Sequence, residues 1–304
     1  MSVKTWKKII TITVLLTIIL LIITTTVSKH KYINERDKIL PENMVDLADY
    51  GIETVSVLDK YENFINYYTA NVSVDAIDYQ SKYPDLYVDN EFKYEDNSDK
   101  MICYLTFDDG PYAPNTEMIL DALKKYDAKA TFFVVCKDTE ENRRLLKRMV
   151  EEGHTIGVHT ACHDYYKIYE SVEAYLTDFK KVSDWVEDVT GTKPEIFRFP
   201  GGSVSSYNIA IYQDIIAEML RRGYTYYDWN CSSGDAAAGY VSESRIQNNV
   251  VNTANVNKKV VLMHDGRGHG TSAKSVEPIL RSLTAKGYEF RALDKTVEPV
   301  IFDY

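Results

Sequence analysis

From Met101 to the C-terminus the sequence predicts an α/β fold, a parallel sheet or barrel with helices outside it. Three observations carry that prediction. Short apolar runs alternate with amphipathic stretches. Glycine closes one helical stretch after another, at Gly153, Gly191, Gly223 and Gly287. Polar residues able to do chemistry fall at the ends of the apolar runs, where such folds gather their sites.

The elements follow in order. Met101–Phe107 reads as a strand and Thr116–Tyr126 as a helix. Ala130–Val135 is a strand, Glu140–Glu152 a helix and Thr155–His159 a strand. Val172–Thr190 is a helix, Glu195–Pro200 a strand and Tyr207–Arg222 a helix. Tyr224–Asn230 is a strand, and a helix lies around Ser242–Thr253. Lys259–His264 has the clearest strand pattern, and Ser275–Lys286 with Tyr288–Arg291 supply a last helix and strand.

Ahead of this domain (residues 99–304) the chain has a different texture. Residues 1–8 carry Lys4, Lys7 and Lys8, and the run Ile9–Ser28 has no charge. About 20 residues of helix cross a hydrocarbon core of roughly 30 Å. The leading lysines predict the N-terminus inside and the body outside. An uncleaved anchor is the expectation, because the run is long and lacks an A-x-A-like cleavage site; a secreted protein with a cleaved signal peptide is the alternative. Residues 29–98 hold 15 Asp/Glu against 7 Lys/Arg and show no catalytic spacing. They read as an acidic extracellular spacer or small accessory region, with helical spacing over Leu58–Tyr68 and a stretch from Asn34 to Tyr50 able to form a helix.

The net charge of −10 argues against nucleic acid, which needs a basic face. Nothing in the sequence identifies a protein partner. The four cysteines, Cys103, Cys136, Cys162 and Cys231, form no C-x-x-C pair. Cys103 and Cys136 read as buried thiols; a Cys162–Cys231 bridge is left open.

The chemistry lies in a few motifs. Asp108 and Asp109 end the first strand, and Gly110-Pro111 turns the chain behind them. His159 and His163 form an H-x-x-x-H pair, which on a helix would place both imidazoles on one face. With Asp109 they make two nitrogens and a carboxylate, a hydrolytic metal arrangement. Arg198, Asp228 and His264 stand at the ends of later strands. Asp235 either binds substrate or caps the next helix. His269 reads as a loop residue and His154 as structural.

The order of these motifs resembles the polysaccharide deacetylases with a NodB homology domain, carbohydrate esterase family 4, over about Met101–Arg291. Thr106-Phe107-Asp108-Asp109-Gly110-Pro111 matches the first motif, and His159-Thr160-Ala161-Cys162-His163 the second. Arg198-Phe199-Pro200-Gly201-Gly202 fits the third less fully. Tyr227-Asp228-Trp229 supplies Asp-Trp for the fourth, and Leu262-Met263-His264 the fifth. The resemblance implies a distorted (β/α) barrel that removes N-acetyl groups from a glycan. It implies a metal at Asp109, His159 and His163, zinc as a rule, with Co2+, Mn2+ or Ni2+ able to substitute. It implies Asp108 as general base, paired with Arg198, and His264 as general acid, oriented by Asp228. Trp229 and Leu262 would wall the acetyl pocket, and a backbone N–H near Gly201 would assist the oxyanion. Many family members carry an aromatic residue at Gly201, so one wall of the groove is missing here.

Peptidoglycan N-acetylglucosamine is the expected substrate because an anchored enzyme would face the wall. Chitin oligomers, xylan and exopolysaccharide are the alternatives, and a non-catalytic glycan-binding wall protein is a third reading. That third reading predicts a lost ligand, base or acid, and none is lost. No G-x-S-x-G elbow supports a serine hydrolase, and no basic clamp supports a phosphatase.

Overall fold

Strand β1 (Ile102–Asp108) is buried along its whole length. This is what a central parallel strand needs, covered on both faces. Its residues alternate between two cores. Cys103, Leu105 and Phe107 pack under the helices. Ile102 and Tyr104 point the other way, into an inner cluster with Phe133, Ile196, Tyr227 and Val260. Asp108 has the parity of that inner set, so it caps the inside of the barrel.

The computed structural model describes residues 78–253 and 256–302. After β1 come α1 (Ala113–Lys125), β2 (Ala130–Val135), α2 (Glu140–Glu151), β3 (Thr155–Thr160) and a single turn, α3 (Tyr165–Ile168). Then follow α4 (Val172–Thr190), β4 (Ile196–Phe197), α5 (Tyr212–Arg221), β5 (Thr225–Tyr226) and β6 (Cys231–Ser232). The chain ends with α6 (Glu243–Asn252), β7 (Lys258–His264), α7 (Gly270–Ala285) and β8 (Glu289–Phe290). Local chemistry sets several boundaries. Thr139, Ser171 and Ser242 cap α2, α4 and α6 by accepting backbone N–H bonds. Gly191, at φ 72°, ends α4 in the left-handed conformation.

The strands run β5-β4-β3-β2-β1-β7-β6, and β8 pairs with the start of β1. All the pairings are parallel. Among the described residues β5 and β6 are the free ends of the sheet, so the barrel is open there. The expected α/β class and element order match. The turn α3 and the strand β6 are additions, α1 starts at Ala113 and not at Thr116, the expected strand Glu195–Pro200 pairs only at Ile196–Phe197, and three further boundaries differ. The expected strand Tyr224–Asn230 pairs only at β5, because its next residues turn to bond the C-terminal segment, Asp228 N to Val300 O. The expected helix from Tyr207 begins at Tyr212, after a turn organised by Asn208. Helix α7 starts at Gly270, one turn before its expected start at Ser275.

The expected anchor over Ile9–Ser28 and the helical spacing at Leu58–Tyr68 lie outside the described residues, as does the stretch Asn34–Tyr50. Among the described residues no helix is long and apolar enough to cross a membrane. The described part of the acidic region runs along the barrel. Leu86 is buried in the outer core. The buried Arg222 guanidinium donates to the carbonyls of Tyr79, Lys82, Tyr83 and Leu86.

Candidate active site

Inward-facing residues at the strand ends build one cleft of about 840 Å3. It is lined by Asp108, Asp109, His159, His163, Trp229 and His264, among others. Strand parity explains the set: Asp108 on β1, His159 on β3, and Leu262 and His264 on β7 all follow inward positions. Gly157, one inward step before His159, leaves room for the Phe133 ring, since a Cβ there would lie 2.5 Å from it.

Asp109 stands just past the strand at φ 74°, a left-handed conformation uncommon outside glycine. Its Oδ1 lies 3.1 Å from His163 Nε2 and 3.5 Å from His159 Nε2. That buried oxygen has no hydrogen-bond donor among the described residues that meets full geometry. The remaining nitrogen of His159, Nδ1, is 2.9 Å from the carbonyl of Arg198. That bond fixes the tautomer and leaves Nε2 as an acceptor facing Asp109. Burial opposes charge on Asp109. The His163 imidazole 3.1 Å away, with His159 and His264 nearby, outweighs it and holds the carboxyl below its usual range. A cluster of two imidazoles and one carboxylate with an orphaned oxygen fits a divalent cation.

The H-x-x-x-H pair is not helical, as a shared helical face would require. His159 lies in β3, and His163 sits in a loop at φ 50°. Asp178 of α4 shapes that loop, a residue the sequence motifs do not show. Its Oδ2 accepts from Thr160 Oγ1 and Ala161 N, both at 2.7 Å, and its Oδ1 from Cys162 N at 3.1 Å. Thr160 Oγ1 then accepts from His163 N at 3.2 Å.

Arg198 is fully buried and holds Asp108 through Nη1–Oδ1 at 3.0 Å. It also donates to Thr106 Oγ1, Tyr227 O and Asp228 O, and lies over the Phe133 ring at 4.4 Å. The expected Asp108–Arg198 pair is therefore present.

The expected partner of His264 is not. Asp228 is buried and faces away, accepting from Ser203 N, Ser203 Oγ and Phe302 N. Asp235 takes its place, with Oδ1 2.8 Å from His264 Nδ1. Of the two roles expected for Asp235, capping the next helix falls to Ser242, while Asp235 does line the cleft. Burial opposes protonation of His264, but Asp235 overrides it and pushes the imidazole up to about 9. His269 is more than a loop residue, since its ring stacks on His264 with centroids 5.0 Å apart.

Trp229 and Leu262 line the cleft, as does Gly201. Trp229 packs edge-on against Phe302 at 4.8 Å. The cysteines are free thiols; Cys231 is buried and Cys162 exposed, so the bridge left open by the sequence is not formed. Behind the site, the Asp265 carboxyl lies against Gly110 and accepts from Thr116 Oγ1. Burial, aided by Asp108 and Asp109, pushes it up to about 7. His154 accepts from Ala130 N at 3.2 Å and is structural, as expected.

Comparison with known proteins gives the same family. The family model described as polysaccharide deacetylase matches residues 95–224. A Bacillus cereus peptidoglycan-N-acetylglucosamine deacetylase is 34% identical, over 64% of this chain and 70% of its own length. A putative polysaccharide deacetylase of Bacillus subtilis is 32% identical, over 71% of this chain and 75% of its own length. The crystal structure of the catalytic domain of a Eubacterium rectale peptidoglycan N-acetylglucosamine deacetylase superposes with a TM-score of 0.65. It is 34% identical, over 69% of this chain and 96% of that domain. With its strand-end triad, its Asp108–Arg198 pair and these relatives, the chain belongs to the NodB-type polysaccharide deacetylases of carbohydrate esterase family 4.

Proposed function

We propose that this enzyme removes N-acetyl groups from peptidoglycan N-acetylglucosamine, outside the cell membrane, with a divalent cation at Asp109, His159 and His163. The observation that carries the reading is the pairing of opposite roles across one cleft. Asp108, held by Arg198, stands beside the triad on one side. His264, held protonated by Asp235, stands on the other.

A bound cation, zinc among the candidates, would activate water and polarise the acetamide carbonyl. The remaining steps belong to side chains. Asp108 Oδ2 is the oxygen free of Arg198 and accepts the proton of the attacking water. His264 Nε2 donates the proton that lets the sugar amine leave, since Nδ1 is engaged by Asp235. Trp229 and Leu262 provide the apolar surface for the acetyl methyl. Two further observations support the substrate and place. Two of the three relatives named above, those of Bacillus cereus and Eubacterium rectale, are described as peptidoglycan N-acetylglucosamine deacetylases. The basic N-terminus and the uncharged run Ile9–Ser28 fit a signal anchor.

Acetate release from peptidoglycan and from N-acetylglucosamine oligomers by the full chain tests this. Release should stop with a chelator, return with added divalent metal, and fall sharply in Asp108→Asn. Release indifferent to both perturbations would overturn the reading.

A further inference from the structure

The geometry points to a glycan-binding platform of stacked tyrosines, Tyr165, Tyr207 and Tyr166, that extends the cleft on the His163 side over Gly201. It rests on the proposed action on a glycan and adds where neighbouring sugars of the chain are held.

Gly201 has φ +79°, and a Cβ there would lie 3.4 Å from the Tyr165 ring. The Tyr165 ring thus lies at contact distance over the place that a larger side chain at 201 would enter. Tyr165 lines the cleft, and its ring meets the His163 imidazole at 5.2 Å. Tyr207 stacks on Tyr165 with centroids 4.5 Å apart and planes 12° apart. Tyr166 meets Tyr207 edge-on at 5.8 Å and 89°. The three come from α3 and from the turn before α5, two segments that no strand-end motif marks.

The exposure of this cluster separates it from core packing. Tyr166 is 82% exposed and Tyr207 46%. Large aromatic faces left in water next to a cleft mark a binding groove more often than a scattered surface. Tyrosine suits a sugar: its face covers the C–H side of a pyranose, its hydroxyl meets the hydroxyls, and it loses little rotamer freedom. The platform starts at the triad and leads outward, so its occupant is a sugar linked to the one being deacetylated, within a β-linked N-acetylhexosamine chain.

The test uses the metal-loaded full chain with N-acetylglucosamine oligomers from two to six units. In Tyr207→Ala, kcat/KM for the hexamer should fall roughly ten-fold more than for the dimer, through KM. Tyr207→Phe should keep most of the hexamer preference. The same factor at every length would mean a structural role and would overturn the platform. Calorimetric binding of the hexamer gives a readout independent of turnover. Hexamer binding that weakens in Tyr207→Ala supports the platform even if no acetate is released, in which case only the deacetylase reading fails. Binding unchanged by Tyr207→Ala, or no hexamer binding by the unaltered protein, sinks it.

Discussion

His264 is held twice by Asp235: its Nδ1 lies 2.8 Å from Oδ1, and its backbone N–H donates to Oδ2 at 2.8 Å. Ser272 Oγ donates to the same Oδ2, so the carboxylate is fixed before it meets the imidazole. In Asp235→Asn the charge that favours the imidazolium is gone while burial remains. The sign follows directly. His264 is raised to about 9, so its acid form is present below that pH and is lost above it. A cation at the triad lowers that limit by repulsion. The alkaline limb of kcat/KM should therefore lie at or below about pH 9 and move to lower pH in Asp235→Asn. The rate at neutral pH should drop by about 10²–10⁴.

Asp228 should behave differently, because its partners are Ser203 and Phe302 and not His264. Asp228→Ala leaves buried donors unsatisfied and should cost about 1–3 kcal/mol of stability. Its alkaline limb should stay where the unaltered protein has it. Denaturant melts together with pH–rate profiles of the two variants separate the roles; a matching alkaline shift in both would assign them wrongly.

How much of this was legible in the sequence depends on distance along the chain. Asp108, Asp109, His159 and Arg198 sit at strand ends, where the apolar run itself marks the position. Asp235 and Asp178 do not. Asp235 lies past the two-residue strand β6, and Asp178 is in the middle of α4. Each reaches the site through a crossover that brings together residues 29 and 16 to 18 positions apart. Asp228 stands beside a tryptophan at a strand end, and that local pattern was misleading. The C-terminal segment passes behind it and takes its carboxylate. The same passage shortened the expected strand there.

Asp178 carries the next prediction. It organises the backbone between the two histidines without touching either imidazole. Asp178→Asn replaces one accepting oxygen with a donor and leaves part of the loop unheld. Groups that orient metal ligands are typically worth about 10–100-fold in affinity. Metal titration by competition with a chromophoric chelator should show such a loss in Asp178→Asn and a larger one in His163→Ala. Unchanged affinity in Asp178→Asn would mean that the loop is held by other contacts.

Gly110 and Asp265 should be coupled. A Cβ on Gly110 would come 2.1 Å from the Asp265 carboxylate, which Thr116 holds in place. Gly110→Ala alone should cost about 1–3 kcal/mol, as overpacking does. Asp265→Ala removes the obstructing atoms, so the double variant should be less destabilised than the sum of the singles. A double-mutant cycle by urea unfolding measures that interaction, and strict additivity would contradict the contact.

The last prediction concerns the acidic stretch before β1. Arg222 is fully buried, with Nε donating to Glu218 at 2.7 Å. Its other nitrogens donate to four backbone carbonyls between Tyr79 and Leu86. Val88 N returns a bond to Arg222 O at 2.9 Å, and Gly223 leaves no space there, since a Cβ would lie 1.9 Å from Val88 O. One guanidinium therefore ties this stretch to the end of α5. Arg222→Met keeps the packing volume and removes every donor. It takes one donor from each of four carbonyls, of which Tyr79 O and Tyr83 O keep the backbone N–H of Lys82 and Leu86, and it leaves Glu218 with Arg221 alone. Breaking one side of a buried pair costs about 3–5 kcal/mol. The loss should appear as a lower unfolding midpoint and as new proteolytic cleavage within residues 79–90. Arg222 is not among the cleft residues, so acetate release per folded molecule should be retained. Cleavage no faster than in the unaltered protein would mean that Leu86 and the Val88 bonds hold the stretch without the arginine.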